Sequence, residues 1–237
     1  MTREEELLAN LTSVRARLGE AATRAGRSPG EICLLAVGKT MPWKDIATLL
    51  RAGQRDFGEN YVQEALPKIL AVERGRDPAA PEPRWHFVGH LQSNKAKLIP
   101  GKFAIFHSLH SAALAERLEK ACAESDTTLH CLVEVNVDGE ASKSGVAPDE
   151  AAFLLEGCSR LRRIRITGLM CIPAADPRNP RRPFAALRNL RDALNRQGVY
   201  PEKLTELSMG MTADYEAAIA EGSTVVRIGT ALFGARR

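Results

Sequence analysis

No two of the five cysteines, Cys33, Cys122, Cys131, Cys158 and Cys171, stand in a Cys-x-x-Cys spacing, and their number is odd. A disulfide framework is therefore poorly supported. Three of them lie in apolar, strand-like runs, where cysteine behaves as a small hydrophobe. A reducing, cytoplasmic setting is expected. No apolar stretch approaches the roughly 18 residues of a membrane-spanning helix. The start, Met1-Thr2-Arg3-Glu4-Glu5-Glu6, is charged and lacks a secretory apolar region, so neither export by that route nor membrane spanning is expected. A strong charge imbalance is also missing. There are 33 basic and 29 acidic residues, for a net charge of +4. The one dense basic cluster, Arg178 to Arg182, is interrupted by proline and reads as a solvated loop, so nucleic-acid binding is not expected. No linker, low-complexity tract or residue-level repeat divides the chain.

What is present is an ordinary globular composition, 44% hydrophobic and 26% charged over 237 residues. After a first amphipathic helix (about Arg3 to Ala25), short apolar runs alternate with helical patterns. The predicted strands are Ile32–Val37, Arg55–Phe57, Trp85–Val88, Ala104–His107, His130–Val137, Ile164–Met170, Thr205–Ser208 and Val225–Ile228. The predicted helices are Lys44–Arg51, Val62–Val72, Asn94–Leu98, Ala112–Glu124, Pro148–Ser159, Pro183–Gln197, Ala213–Ala220 and a short one after Thr230. Leu114, Leu118 and Cys122 show the i, i+4 helical spacing. Strand then helix, repeated eight times, predicts an α/β fold with a parallel sheet. Eight units point to a single closed (β/α)8 TIM-type barrel with an extra N-terminal helix, one domain over residues 1–237. The rival is a doubly wound open sheet, but no Gly-x-Gly-x-x-Gly turn follows the first strand. The Pro-rich piece Asp77-Pro78-Ala79-Ala80-Pro81-Glu82-Pro83 reads as a surface loop.

Barrel sites gather at the carboxyl ends of strands, and phosphate groups favour the loops after strands seven and eight. Lys39 closes the apolar run Ile32-Cys33-Leu34-Leu35-Ala36-Val37-Gly38-Lys39-Thr40. A lysine there is placed to act as a reactive amine that forms a Schiff base with a carbonyl compound. The nucleotide P-loop needs a glycine five positions before Gly38, where Cys33 stands instead. The loop Ser208-Met209-Gly210-Met211-Thr212 and the turn Gly229-Thr230 both precede helix starts and suit an oxyanion. Arg227 alternates with Val226 and Ile228, so it should point into the barrel mouth, where an arginine needs a partner. A phosphorylated ligand with a carbonyl would satisfy Lys39 and these loops together.

Several other residues keep two readings. His86 and His90 have an i, i+4 spacing, but nothing completes a metal set. His86 is expected as a satisfied core histidine and His90 as a pocket-wall residue. Glu59 suits a general base or a carboxylate at a helix start. Lys143 is either a second reachable amine or a solvated cation. Met209 and Met211 suit packing around the loop rather than chemistry.

Six segments carry a family resemblance. They are Gly58-Glu59-Asn60-Tyr61-Val62-Gln63-Glu64, Trp85-His86-Phe87-Val88-Gly89-His90-Leu91-Gln92-Ser93-Asn94-Lys95 and Ser142-Lys143-Ser144-Gly145. Gly168-Leu169-Met170-Cys171-Ile172-Pro173, Leu207-Ser208-Met209-Gly210-Met211 and Val226-Arg227-Ile228-Gly229-Thr230-Ala231-Leu232-Phe233-Gly234 complete the set. Collinear from about Leu11 to Arg236, the chain resembles the pyridoxal phosphate homeostasis (YggS/PROSC) family. The resemblance implies a barrel like the N-terminal domain of alanine racemase, with pyridoxal 5'-phosphate (PLP) as cofactor, held as an internal aldimine on Lys39. It implies Asn60 beside the pyridine ring and Arg227 facing the ring nitrogen. It also implies Ser208, Met209, Gly229 and Thr230 as phosphate contacts. Gly38 stands where a serine is common, and Thr212, a further pocket-wall candidate, replaces a frequent serine.

An arginine rather than a carboxylate at the ring nitrogen should weaken the ring as an electron sink. A racemase of the alanine type also needs a second base and a covering domain. Only seven residues follow Thr230, and the tyrosines are Tyr61, Tyr200 and Tyr215. The expected role is therefore intracellular PLP binding and homeostasis by a monomer, with PLP-dependent apo-enzymes as candidate recipients. The alternatives are a PLP-dependent amino-acid racemase and a PLP-reporting partner protein.

Overall fold

In the computed structural model of the chain, eight parallel strands close into a barrel in sequence order, with β1 pairing both β2 and β8. The structure describes residues 1–76, 81–140, 143–174 and 178–234. Ser142, Arg236 and the Asp77-Pro78-Ala79-Ala80 part of the predicted surface loop lie outside them. The strands are β1 (Cys33–Val37), β2 (Asp56–Glu59), β3 (Arg84–Phe87), β4 (Ile105–Leu109), β5 (Leu129–Glu134), β6 (Ile164–Met170), β7 (Glu206–Met211) and β8 (Val225–Ile228). The helices are α1 (Arg3–Arg24), α2 (Trp43–Arg51), α3 (Val62–Gly75), α4 (Ala112–Glu124), α5 (Ala151–Cys158), α6 (Arg182–Gln197), α7 (Tyr215–Ala220) and α8 (Thr230–Phe233). No described helix is long and apolar enough to cross a membrane.

Strand alternation sorts the side chains into two sets. Leu34, Ala36, Phe57, Phe87, Phe106, Leu207, Met209, Val226 and Ile228 belong to the main core, between barrel and helices. Apart from Ala36, each such side chain removed from water contributes about 2 kcal/mol. The intervening residues fill the barrel itself. One apolar cluster there joins Leu35, Val88 and Val225, and another joins Ile105, Leu132 and Met170. Buried polar residues on inward positions complete the interior: His86, His107, Glu134, Ser208 and Arg227.

The extra helix α1 starts at a capping box. Thr2 Oγ1 accepts from the Glu5 N–H at 3.2 Å, and the Glu5 carboxylate accepts from the Thr2 N–H at 2.8 Å. Its buried stripe, Leu7, Leu11, Val14 and Leu18, packs on the barrel's helices. Arg3 ties it to α2 through Asp45 at 2.7 Å and to α8 through the Phe233 carbonyl at 2.9 Å. The helix thus straps the β8–β1 seam, where the last strand meets the first.

Several boundaries differ from the sequence expectation, and five of the differences have a visible cause or form. β2 runs to Glu59, because that carboxylate is buried in an ion pair instead of standing at a helix start. β5 stops at Glu134: the Val135 N–H still donates to the Met170 carbonyl at 2.8 Å, but Val135 pairs onward only as an isolated bridge with Val146, beside Gly145, whose φ is +112°. The segment Ser93–Leu98 is a 3-10 rather than an α-helix, and Pro148–Glu150 forms a separate 3-10 turn before α5. β7 continues through Ser208 to Met211, so all of the predicted loop except Thr212 is strand. Gly210 permits this: its φ is +91°, and a Cβ there would stand 2.5 Å from the Ala218 Cβ. Gly210→Ala is expected to destabilise the fold by about 2 kcal/mol or more, read as a lowered midpoint in urea unfolding. An unchanged midpoint would show that the irregularity in β7 does not depend on glycine.

Candidate functional site

Lys39 sits in a turn directly after β1, closed by a hydrogen bond from the Met41 N–H to the Gly38 carbonyl at 3.0 Å. The next residue, Thr40, has a φ of 67°, a left-handed conformation unusual for a branched side chain. A buried charge cluster holds this turn from behind. Lys68 Nζ donates to the Gly38 carbonyl at 2.7 Å, to Glu59 Oε1 at 2.7 Å and to Glu64 Oε1 at 3.0 Å. Glu64 Oε1 also accepts the Thr40 N–H. Burial pushes the Glu59 carboxyl up to about 7, against the opposing pull of Lys68. Gly38 fits the same crowding, since a Cβ there would lie 2.6 Å from Ile46 Cδ1 and 3.2 Å from Glu59 Oε1. Lys39 itself is only partly buried.

Across the mouth, Arg227 points inward as its alternation in β8 predicts, and it is 4% exposed. Its Nη1 donates to the Ser208 carbonyl at 2.7 Å and to Ser208 Oγ at 2.8 Å, and its Nη2 donates to the Cys171 carbonyl at 2.8 Å. A guanidinium has five N–H groups. The Nε–H and one Nη2–H therefore have no partner among the described residues. None of the described ion pairs includes Arg227; its direct partners are neutral dipoles, and the carboxyl groups of Asp214 and Glu134 act on it only from beyond contact, a costly arrangement. Burial accordingly lowers its pKa, yet a guanidinium stays charged in a protein. The Cys171 thiol offers no counter-charge, because burial pushes it up to about 12.

Lys39 and Arg227 share a cavity of about 400 Å³ with Asn60, Thr212, Gly229 and Thr230. The remaining walls are apolar, among them Val88, Ile172, Met211 and Phe233. The Asn60 Oδ1 is buried without a hydrogen-bond partner among the described residues. Six of the predicted site residues thus come together. Three others do not line this cavity. Met209 faces outward into the helix-packed core. Ser208 lies behind the wall as a partner of Arg227. His90 is exposed, stacks on His110 at 5.0 Å and reaches Ser144 Oγ at 3.4 Å. Lys143 does not line it either. Met211 and Ala213 do, because β7 runs further than the sequence suggests. His86 is a hydrogen-bonded core residue, on Asp56 and His107.

The sequence reading missed the Lys68 cluster and Glu134. The i, i+4 spacing of Glu64 and Lys68 on one helix was the available signal for the first. Nothing in the apolar run of β5 singled out Glu134. It points into the barrel, is 5% exposed, and its Oε2 has no partner among the described residues. Burial pushes its carboxyl up to about 7, and the charge of Arg227 only partly offsets this. The folded state then holds a proton that the unfolded chain releases near its ordinary 4.5. The stabilisation from this group is complete below about 4.5, falls as pH rises to about 7, and stays lost above. Relative to the native chain, Glu134→Gln should therefore gain on the order of 2 kcal/mol between pH 4.5 and pH 8. Denaturant unfolding of both proteins at the two pH values checks this. An equal difference at both would place the Glu134 carboxyl in the ordinary range.

Residues 9–237 match the family model described as alanine racemase, N-terminal domain. The chain is 43% identical over 227 residues to the pyridoxal phosphate homeostasis protein of Escherichia coli K12, covering 96% of this chain and 95% of that one. It is 45% identical over 229 residues to the protein of the same name from Pseudomonas aeruginosa, covering 96% and 94%. Among solved structures, PipY of Synechococcus elongatus with PLP bound is 35% identical, with a TM-score of 0.82 over 96% of this chain and 100% of that one. Alanine racemase from Corynebacterium glutamicum shares the fold at 16% identity and a TM-score of 0.70, over 98% of this chain and 61% of that one. On its near-full-length identity to the curated relatives, the chain belongs to the pyridoxal phosphate homeostasis family, built on the alanine racemase N-terminal fold.

Proposed function

We propose that this protein binds PLP at the barrel mouth, holds it covalently through Lys39, and serves PLP homeostasis rather than amino-acid turnover. One observation carries the reading. The only titratable side chains among the described walls of the cavity are Lys39 and Arg227. The set contains one reactive amine and one fixed cation, with no second base. That favours holding a phosphorylated aldehyde over moving protons on a substrate.

The residues present fit the cofactor. The unclaimed N–H groups of Arg227 and its buried charge, without a direct ion-pair partner, call for a hydrogen-bond acceptor. Bound there, PLP would supply an aldehyde that condenses with amines and a ring that delocalises charge. Lys39 offers the amine for that aldehyde. Arg227 is the group assigned to the ring nitrogen, and since a guanidinium only donates, it keeps a proton off that atom. Thr230, with the first-turn N–H groups of α8, and Thr212 are the phosphate contacts the cavity favours. Asn60, its amide oxygen unpaired, is assigned to the ring's flank. Ser208 acts through Arg227, and any part played by Met209 is confined to its backbone.

The site is complete within one chain, so a monomer suffices and residues 1–237 act as one domain. Free thiols at all five cysteines suit a reducing cytoplasm. Release of the held aldehyde to PLP-dependent apo-enzymes is the role that an amine open to exchange serves best.

Borohydride reduction of the PLP-loaded protein, followed by peptide mapping, tests the anchor. The pyridoxyl group is expected on the Lys39 peptide, and Lys39→Ala should lose the visible absorption band of lysine-bound PLP. Labelling of Lys143 or Lys68 instead, or an unchanged band in Lys39→Ala, would overturn the assignment. Turnover of any amino acid at roughly 1 to 1000 per second would restore the racemase alternative.

A further inference from the structure

Behind Arg227, four polar side chains cross the barrel interior to its floor. Ser208 Oγ in β7 lies 2.9 Å from His107 Nδ1 in β4. His107 Nε2 lies 2.9 Å from His86 Nδ1 in β3. His86 Nε2 lies 3.0 Å from Asp56 Oδ1, at the first position of β2. Asp56 also accepts from Arg84, beside a second cavity of about 590 Å³ at the amino ends of the strands. Ser208, His107 and His86 are each 1% exposed or less.

Donor and acceptor roles are fixed from both ends. Arg227 can only donate, so Ser208 Oγ accepts from Nη1 and its own hydrogen turns to His107 Nδ1. His107 then carries its hydrogen on Nε2 and gives it to His86 Nδ1. His86 in turn carries its hydrogen on Nε2 and gives it to Asp56. Burial alone would raise the Asp56 carboxyl, but its bonds from His86 and Arg84 prevail and bring it to about 2, so the far end is an ionised acceptor. Every hydrogen along this path has one acceptor. The opposite arrangement has a doubly protonated His86 and a His107 that donates from Nδ1. Two donors then converge on Ser208 Oγ, the serine hydrogen loses its acceptor, and a second cation joins Arg227 inside the barrel. Burial first, with the charge of Arg227 beside it, also holds His107 neutral.

We infer that Asp56, His86, His107 and Ser208 form a one-way hydrogen-bond chain that positions the Arg227 guanidinium from the barrel floor. The chain orients and does not conduct: a guanidinium gives up no proton, so nothing is passed on to the mouth. Ser208 fixes Nη1 as a bidentate donor, to its own carbonyl and its own hydroxyl, and the histidines keep that hydroxyl oxygen available as an acceptor. Aligned bonds of this kind strengthen one another in a low-dielectric interior. The existence of the chain is independent of the ligand, whereas its effect on PLP rests on the function proposed above.

Long-range 1H–15N NMR of the ligand-free protein, labelled at histidine and recorded near neutral pH, tests it directly. Both rings are expected neutral with the hydrogen on Nε2. A doubly protonated His86, or a His107 hydrogen on Nδ1, would overturn the chain. The positioning role is read by PLP release from two variants that do not touch the cavity. Asp56→Ala should speed release about tenfold and mix the His107 tautomers. Asp56→Asn keeps an acceptor for His86 and should leave both near the native values. If Asp56→Ala does not fold, Ser208→Ala carries the same tenfold expectation. Native release from whichever of these variants folds would refute the positioning role. If the native protein takes up no PLP, the proposed function fails while the tautomer measurement still decides the chain.

Discussion

A buried guanidinium with no direct ion-pair partner among the described residues is the constraint on which the rest of the site depends. Arg227 costs free energy where it stands, because carbonyl and hydroxyl dipoles only partly replace water around a full charge. The fold accepts that cost by building the barrel interior around it. Ser208 and the Cys171 carbonyl hold the head group. The two apolar clusters, around Leu35 and Leu132, occupy the rest of the interior. The strap formed by α1 keeps β8 and α8 against β1, so the arginine and the Gly229–Thr230 turn stay in one place relative to Lys39. An anionic ligand at the mouth would complete an electrostatic arrangement that the protein alone leaves open.

The two walls of the cavity are built for different tasks. On the β8 side the arginine is fixed, with buried partners, and it stays charged. On the β1 side the anchor is an amine on a long flexible stem, partly reached by water, and only its turn is held, by Lys68 and its two glutamates. A fixed cation opposite a reachable amine suits a molecule that must be gripped and given up again. Chemistry at a substrate carbon would call for a second base, and the described walls offer none.

The strand–helix alternation made the barrel readable, and the positions of Lys39 and Arg227 followed from it. Lys39 ends an apolar run, and Arg227 lies between two outward-facing residues. The same alternation, carried one strand further, separates inward Ser208 from outward Met209, yet the glycine of that segment reads as a loop. Gly210 is the reason: the positive φ that suggests a turn here lets the strand continue to Met211. Other parts were not legible because their partners are remote. His86 meets His107 across 21 positions, and His107 meets Ser208 across 101. No local spacing marks such pairs. Glu59 misled for a different reason. A carboxylate before a helix usually serves the helix start, but this one is buried by a lysine nine positions on.

The most direct test of a fixed cation facing the cofactor ring is the 15N chemical shift of the pyridine nitrogen in bound, 15N-labelled PLP. A shift typical of an unprotonated, hydrogen-bond-accepting nitrogen, constant from about pH 6 to about pH 9 because the guanidinium stays charged throughout, is the predicted result. A pyridinium shift would mean that Arg227 does not face the ring nitrogen and would contradict the account.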